Sequence, residues 1–486
     1  MTERMCALLG ERLDEVDFTV DAVQQLLGAS AHDALLRNET TPARRASADG
    51  SPLATLVRLF QLQVSVPRAD VERALPALVD PMTAEGLLAV DGDEVRACVD
   101  VRPYGDEGHD WWVVCDLTPG LDTAPIEVGP EHVLGISEAS SSLARLAVRT
   151  PVETALDLGT GCGVQALHLA SHARHVVATD VNPRALWAAR LTAGLAGFDV
   201  DVREGSLYEP VAGERFDLVV TNPPFVVSPP SRERLVYRES DLPGDDVVRR
   251  VVTGVADHLN PGGWCQVLGS WMHVDGRPWD ERLSDWVALT GLDAWVVQRE
   301  VVDLPTYVEM WLADAGLRHS ADYLRRYDEW LSWFDDQGVE AMAFGWVNLR
   351  AAGRETPVVR LETWQHDVEG PMGPAVLDWA ERSDALATRS DVLDVHWRKV
   401  EHLTQETYGP AGAADPEAIV LRLGAGPRRA RRADTIEAGL VGALDGDLSA
   451  GQVLDALATL LERDAAELRE TYRPVVQDLV AEGYLR

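Results

Sequence analysis

The stretch Ala155-Leu156-Asp157-Leu158-Gly159-Thr160-Gly161-Cys162-Gly163 constrains the fold more than any other part of the 486-residue chain. Leu156 and Leu158 lead in as a buried strand, and Val164, Leu167 and Leu169 leave at helical spacing, so it reads as strand, glycine turn and helix start. Three alternating glycines remove Cβ atoms where backbone passes close to a ligand, and the following helix offers unpaired N–H groups at its mouth. The expectation is an α/β region with a nucleotide-type cradle. Glycine turns between strand and helix also serve packing, so the reading needs support elsewhere.

Three further stretches supply it. His175-Val176-Val177-Ala178-Thr179-Asp180 reads as a second buried strand ending in a carboxylate beside the glycine turn, placed to accept both hydroxyls of a ribose. A third strand end at Gly205-Ser206-Leu207 marks where an adenine could lie. Phe216-Asp217-Leu218-Val219-Val220-Thr221 then runs as a fourth strand into Asn222-Pro223-Pro224-Phe225. Two prolines remove two backbone donors and fix φ twice, so the chain is rigid there with its carbonyls turned outward. Asn222 Oδ1 and the Pro223 carbonyl can accept both hydrogens of a planar –NH2 while the Phe225 ring covers the flat face of the group carrying it. An amide or aryl amine lends its lone pair to a π-system; accepting its hydrogens pushes density back onto nitrogen, and alignment with a methyl donor supplies proximity.

In this order and spacing, ALDLGTGCG, ATD, GSL and VVTNPPF resemble the class I S-adenosylmethionine-dependent methyltransferases of the N-methylating branch, over roughly residues 130 to 350. Within that branch the chain is most similar to the small-domain ribosomal RNA guanine methyltransferases and the release-factor glutamine methyltransferases. The resemblance implies that Asp157, Gly159, Thr160, Gly161 and Gly163 line the methionine and ribose side of the cofactor, Asp180 the ribose hydroxyls, and Ser206 with Leu207 the adenine. It implies that Asn222, Pro223, Pro224 and Phe225 bind the target nitrogen, with Asn222 also beside the cofactor. Many relatives carry aspartate where Ser206 stands.

Length and composition set bounds on the rest. A chain of this length suggests about three domains: residues 1–125, winged-helix-like; 126–365, the Rossmann-like methyltransferase domain; and 366–486, a C-terminal helical region for which a winged-helix-like arrangement is the alternative. The formal net charge of −35 argues against a broad electrostatic grip on phosphate, although a local basic patch can sit on an acidic protein. The sequence lacks an apolar run near the ~20 residues that span a bilayer and an N-terminal signal-peptide core, which points to the cytoplasm and to no membrane partner. Five scattered cysteines without a CxxC pair suggest reduced thiols and no metal site.

In the first region, Phe18 to Leu27 reads as a helix, and Ser51-Pro52 caps a second helix through Gln61. Short helices at Val71 to Leu75 and Met82 to Ala84 precede a hairpin around Asp91-Gly92-Asp93, and Trp111 to Leu117 adds a strand. No recognition helix is basic, so a structural or protein-docking role is expected there. Ser137 and Ser140, in the turn opening a helix toward Val148, are candidates for the edge of the cofactor site.

After the proline motif, Arg232, Arg234 and Arg238 read either as a charged connector or as a substrate-facing flap. Val247 to Leu259, the turn Asn260 to Gly263 and a strand from Trp264 fit a further α/β unit, and Trp295 to Val301 and Val339 to Leu349 read as two last strands. Helices at Tyr307 to Gly316 and Ala321 to Phe334 lie between these, with Trp330 and Trp333 as core. Pro427 to Arg432 is a dense basic cluster, expected as a solvated loop and as the leading candidate for phosphate contact. Ser449 caps a helix, and the ending Ala481-Glu482-Gly483-Tyr484-Leu485 echoes Ala84-Glu85-Gly86-Leu87-Leu88. The expected activity is methylation of a planar amino nitrogen, foremost an exocyclic base amine of ribosomal RNA. A protein glutamine amide is the alternative acceptor, and a non-catalytic cofactor-binding adaptor the alternative of another kind.

Overall fold

The computed structural model describes residues 3–106, 108–124, 128–230, 242–318, 320–389, 391–411 and 416–486. Arg232, Arg234 and Arg238 lie outside these. At its centre are eight strands: β1 (Val152–Leu158), β2 (Ala173–Asp180), β3 (Val200–Glu204), β4 (Phe216–Thr221), β5 (Leu259–Val274), β6 (Asp293–Asp303), β7 (Val339–Arg350) and β8 (Val359–Thr363). They form one sheet in the order β8-β6-β7-β5-β4-β1-β2-β3. The pairings from β3 through β5 are parallel, and β7 runs antiparallel to both β5 and β6. The expected Rossmann-like α/β architecture is thus present in the central region.

An apolar run from Leu218 to Val220 makes β4 and a buried stretch from Ala155 to Leu158 makes the inner part of β1, because a parallel sheet is covered on both faces; Ala155, Leu156, Leu218, Val219 and Val220 are all buried. From β1 the chain winds outward through α1 (Val164–Ala170), β2, α2 (Pro183–Leu195) and β3, then returns to place β4 on the other side of β1. The winding direction therefore reverses between β1 and β4. A crevice opens outside their carboxyl ends, where open α/β sheets bind ligands. The turn expected at Asn260 to Gly263 becomes a bulge inside β5: register with β4 jumps between Leu259 and Trp264, and the Gly262 N–H donates to the Ala351 carbonyl.

The N-terminal residues pack into the same compact unit as the sheet, Met1–Ala144 with Thr150–Trp364. Thr19 caps the helix Val20–Leu35, and Ser51 caps Pro52–Leu56, which continues through a π-helical turn to Gln61. Leu88–Asp91 and Glu94–Ala97 form the expected hairpin, with a short third strand at Val66–Pro67. A second hairpin pairs Asp100–Asp106 with His109–Cys115. Leu9, Phe18, Phe60 and Val114 share one apolar cluster with Leu191 and Leu195 of α2. The Val114 N–H donates to Thr192 Oγ1 at 2.9 Å, and a Cβ on Gly194 would sit 3.0 Å from Cys6 Sγ.

Arg145–Arg149 and Gln365–Arg486 form a second compact unit. Its helices Gly373–Thr388, Thr435–Ala443, Ala450–Leu460 and Ala465–Glu482 accompany a three-stranded antiparallel sheet of Leu403–Tyr408, Ala418–Leu423 and Ala430–Ala433. None of these three strands is expected individually from the sequence pattern. Ser449 caps its helix in a capping box with Gln452. The echoed endings share a backbone device: Gly86 and Gly483 take left-handed φ of +76° and +91° after a helix, and each leads into two buried apolar residues. Among the described residues no helix is long and apolar enough to cross a membrane.

Candidate functional site

The three glycines after β1 all have positive φ, but they do different things. A Cβ on Gly159 or Gly161 would meet nothing within 4 Å, because both face open space, whereas one on Gly163 would press within 3.2 Å of the Ala189 backbone in α2. The first two keep a ligand cradle clear and the third lets α1 and α2 approach. The expectation that Gly163 lines the ligand is therefore replaced by a packing role. Asp157 is likewise set under the turn rather than in the wall of the cavity. It is 1% exposed, and its Oδ2 accepts from the Thr160 hydroxyl at 2.6 Å and the Ala166 N–H at 3.0 Å. Burial pushes its pKa up to about 7, and its Oδ1 is buried with no partner.

Asp180 stands at the tip of β2 with each oxygen held by one backbone donor, Oδ2 by the Gly161 N–H and Oδ1 by the Asn182 N–H, both at 2.9 Å. A carboxylate has about four acceptor positions, so acceptor capacity remains on both oxygens. Burial raises its pKa against the backbone N–H groups of Asn182, Gly161 and Val181. Asn182 also caps α2, its Oδ1 accepting the Arg184 N–H. The Gly159 and Thr160 N–H groups donate to the Thr179 carbonyl and the Gly205 N–H to the Asp180 carbonyl, which joins the three strand ends.

On the other side of the crevice, the Thr221 hydroxyl donates to the Leu158 carbonyl at 2.7 Å and ties the end of β4 to β1. Asn222 follows directly, and its Oδ1 is buried without a hydrogen-bond partner. Asn222, Pro223 and Pro224 line the cavity together with Gly159, Thr160, Gly161, Asp180, Ser206 and Leu207. Phe225 does not reach this wall. Its carbonyl accepts from the Ser270 hydroxyl, its ring lies 6.2 Å from Phe344 in an edge-on contact, and the Val227 N–H donates to the Tyr307 hydroxyl at 2.8 Å. After Pro224, Val226 and Val227 pack into one apolar cluster with Leu304, Tyr307 and Val308 of the helix Leu304–Asp314.

The cavity has a volume of about 380 Å³, within the roughly 300–1,000 Å³ of small-molecule sites. His132 to Gly135, Ser137 and Ser140 contribute to its wall, and so do Asn182 and, from α3 (Asp246–Gly254), Val247, Arg250 and Val251. The sequence reading passed over Asn182 and Arg250. The capping pattern Asn182-Pro183 was a usable signal for the first; an arginine next to Arg249 on an amphipathic helix gave none for the second.

The basic cluster at 427–432 lies in the other unit and is not a solvated loop. Ala430–Ala433 is a strand, Arg429 is buried, and Arg431 donates to Glu437 at 2.6 Å and Glu482 at 3.2 Å. The buried Glu437 and the half-buried Glu482 pair with Arg431, whereas Arg428 and Arg432 are exposed.

Residues 135–270 match the methyltransferase small domain family, and residues 15–98 match a domain of unknown function, DUF7059. The chain is 37% identical over 123 residues to the release factor glutamine methyltransferase of Geobacter sulfurreducens, covering 23% of this chain and 43% of that protein. It is 32% identical over 203 residues to ribosomal RNA small subunit methyltransferase C of Salmonella arizonae, covering 41% of this chain and 53% of that protein. The chain thus spans about half the length of these curated relatives. A solved structure, the T. thermophilus 16S rRNA N2 G1207 methyltransferase in complex with AdoMet and guanosine, aligns over 50% of this chain and 66% of that one at 18% identity and a TM-score of 0.28. The similarity read from the glycine turn and the Asn-Pro-Pro-Phe motif is thus found again over 135–270, and the central domain has the class I methyltransferase fold.

Proposed function

We propose that the chain is an S-adenosylmethionine-dependent N-methyltransferase acting on a planar amino or amide nitrogen. The observation that carries this is the buried, unpartnered Oδ1 of Asn222 in a cavity wall shared with a glycine cradle and the Asp180 carboxylate. A buried acceptor left unpaired costs free energy, and an –NH2 donor in the cavity would relieve that. The residues suit the cofactor: Gly159 and Gly161 leave room for it, Asp180 has acceptor capacity for a ribose diol, and Ser206 and Leu207 edge the space for a base. When bound, the cofactor supplies a methyl group on a sulfonium. Asn222 Oδ1 and the Pro223 carbonyl take the hydrogens of the acceptor –NH2, return lone-pair density to nitrogen and fix its direction. No side chain has to be a strong base, since the methylated product can lose its proton to water.

A glutamine amide in a protein and an exocyclic amine of an RNA base both present this group. The net charge of −35 and the internal pairing of Arg431 favour the protein acceptor; the similarity to a ribosomal RNA methyltransferase favours RNA.

Incubation with cofactor labelled in its methyl group and a cell lysate, followed by ribonuclease or protease, decides between them. Asn222→Ala should abolish transfer while leaving cofactor affinity within a few-fold. Asp180→Ala should weaken cofactor binding by on the order of 2–4 kcal/mol, the scale of two charge-assisted hydrogen bonds. Label in no lysate component, with cofactor still bound, would favour an adaptor that senses the cofactor without using it.

A further inference from the structure

The wall residues His132 to Gly135 form one short segment of the cavity, and its anchors lie elsewhere in the chain. Asp116, directly after the strand His109–Cys115, holds Val133 by both backbone groups: its N–H donates to the Val133 carbonyl at 3.1 Å and its Oδ2 accepts the Val133 N–H at 2.9 Å. Asp116 Oδ1 accepts from Arg184 Nε at 3.0 Å and Nη2 at 2.6 Å. Arg184 is in the first turn of α2, two residues past the Asn182 that braces Asp180, and its guanidinium lies 4.1 Å over the Trp187 ring. Asn182 Nδ2 donates to the Glu131 carbonyl at 2.9 Å, immediately before the segment. At the far end, a Cβ on Gly135 would come within 2.8 Å of Cys115 Sγ, so the segment runs tightly along the hairpin strand.

Asp116 and Cys115 therefore meet the four wall residues directly, and Asn182 holds the residue just before them. Among the described residues, the cavity wall begins at His132, and the polar contact that the preceding hairpin makes with this segment is that of Asp116 with Val133. We infer that Asp116 and Arg184 form a latch that sets the wall segment 132–135 over the cofactor, making both positioning residues for the proposed transfer. The inference rests on the cofactor reading above. Neither side chain touches the proposed reacting atoms. The pair works by fixing where Val133, Leu134 and Gly135 stand relative to Gly161 and Asp180. Two N–H groups of one planar guanidinium meeting Asp116 Oδ1 restrain orientation as well as distance, which an ammonium does less well.

The test uses the full chain with Arg184→Met, Asp116→Asn, their double variant and Arg184→Lys. Hydrogen exchange in the ligand-free protein should rise in peptides spanning 131–135 for each single variant. Calorimetry should give S-adenosylmethionine affinity weakened about ten-fold, the scale of one lost charge-assisted hydrogen bond. In turnover, KM for the cofactor should rise by more than kcat falls, and Arg184→Lys should lie between wild type and Arg184→Met. The double variant should be no worse than the poorer single one, since both break the same contact. Unchanged exchange at 131–135 in Arg184→Met overturns the latch whatever the cofactor. Unchanged cofactor affinity in both single variants, with wild type binding, overturns its functional role. A wild type that binds no S-adenosylmethionine overturns the cofactor reading and this use of the latch with it, while the exchange result still reports on the contact itself.

Discussion

The two flanking regions look alike in sequence, each a run of short helices with a glycine-capped ending, yet they bury their apolar residues differently. In the N-terminal region Leu9, Phe18 and Phe60 belong to one cluster with Leu191 and Leu195 of α2, the helix that begins beside Asp180. In the C-terminal unit Trp397, Leu421, Leu454, Val476 and Tyr484 make a cluster drawn from residues 385–485 alone. A helix that buries its stripe against the sheet domain becomes part of that domain, whereas a unit with its own core can unfold on its own terms. Residues beside the cofactor cavity should accordingly feel the N-terminal core and be indifferent to the C-terminal one.

The largest effects should come from matched truncations in the two cores. Leu195→Ala and Leu454→Ala each remove a buried side chain, at a cost of roughly 2–5 kcal/mol. Differential scanning calorimetry should resolve two transitions, with Leu195→Ala lowering the one that S-adenosylmethionine raises and Leu454→Ala lowering the other. A single transition that both variants shift equally would break the comparison.

Protonation sharpens it from the other side. Burial holds the Asp157 pKa at about 7 in the folded protein, against roughly 3.9 in an unfolded chain. The folded state therefore keeps this proton after the unfolded state has released it. The contribution of Asp157 to stability is full below the unfolded pKa, declines as pH rises from about 4 to about 7, and is flat above. Asparagine does not titrate. Between pH 4 and pH 8 the stability difference should move in favour of Asp157→Asn by about 4 kcal/mol, the product of the shift and 1.36 kcal/mol per unit. Melting across pH should show this displacement in the cofactor-sensitive transition only. A wild type and Asp157→Asn that keep a constant difference from pH 4 to pH 8 would mean that the carboxylate titrates normally.

The parts of this molecule that were legible in the sequence are those where backbone chemistry leaves a residue signature. Glycines with positive φ, a capping Asn182-Pro183, a Ser449 capping box and the apolar runs of β1 and β4 all follow from local rules. The order of strands β1 to β4 came from reading those runs against helical spacing. What escaped was set by distant partners. The division of labour among Gly159, Gly161 and Gly163 depends on Ala189 in α2, and the path of the chain at Val227 depends on Tyr307, 80 residues further along the sequence. The strands Leu403–Tyr408 and Ala430–Ala433 were missed because exposed, charged edge strands lack the apolar alternation that marks a half-buried one.

Arg431 offers the smallest and most discriminating test. As a member of a basic cluster on an acidic chain it invited a phosphate, but its guanidinium meets Glu437, whose side chain is 7% exposed, and Glu482. Burial raises the Glu437 pKa and Arg431 pulls it back down. Arg431→Gln removes that compensation and should destabilise the C-terminal transition by about 1–2 kcal/mol, less than a fully buried pair would cost because the arginine retains solvent contact. Each phosphate neutralised on a single strand contributes about 0.7 to the slope of log affinity against log salt. If the protein binds RNA, Arg431→Gln should leave that slope unchanged, whereas Arg428→Gln with Arg432→Gln, at the two exposed positions of the cluster, could lower it by up to about 1.4. A slope that falls by about 0.7 in Arg431→Gln, with the C-terminal transition unmoved, would mean that this arginine serves phosphate rather than Glu437. The C-terminal unit would then be an RNA-contacting surface in its own right, and the contrast between an integrated N-terminal region and a self-contained C-terminal one would acquire a functional side.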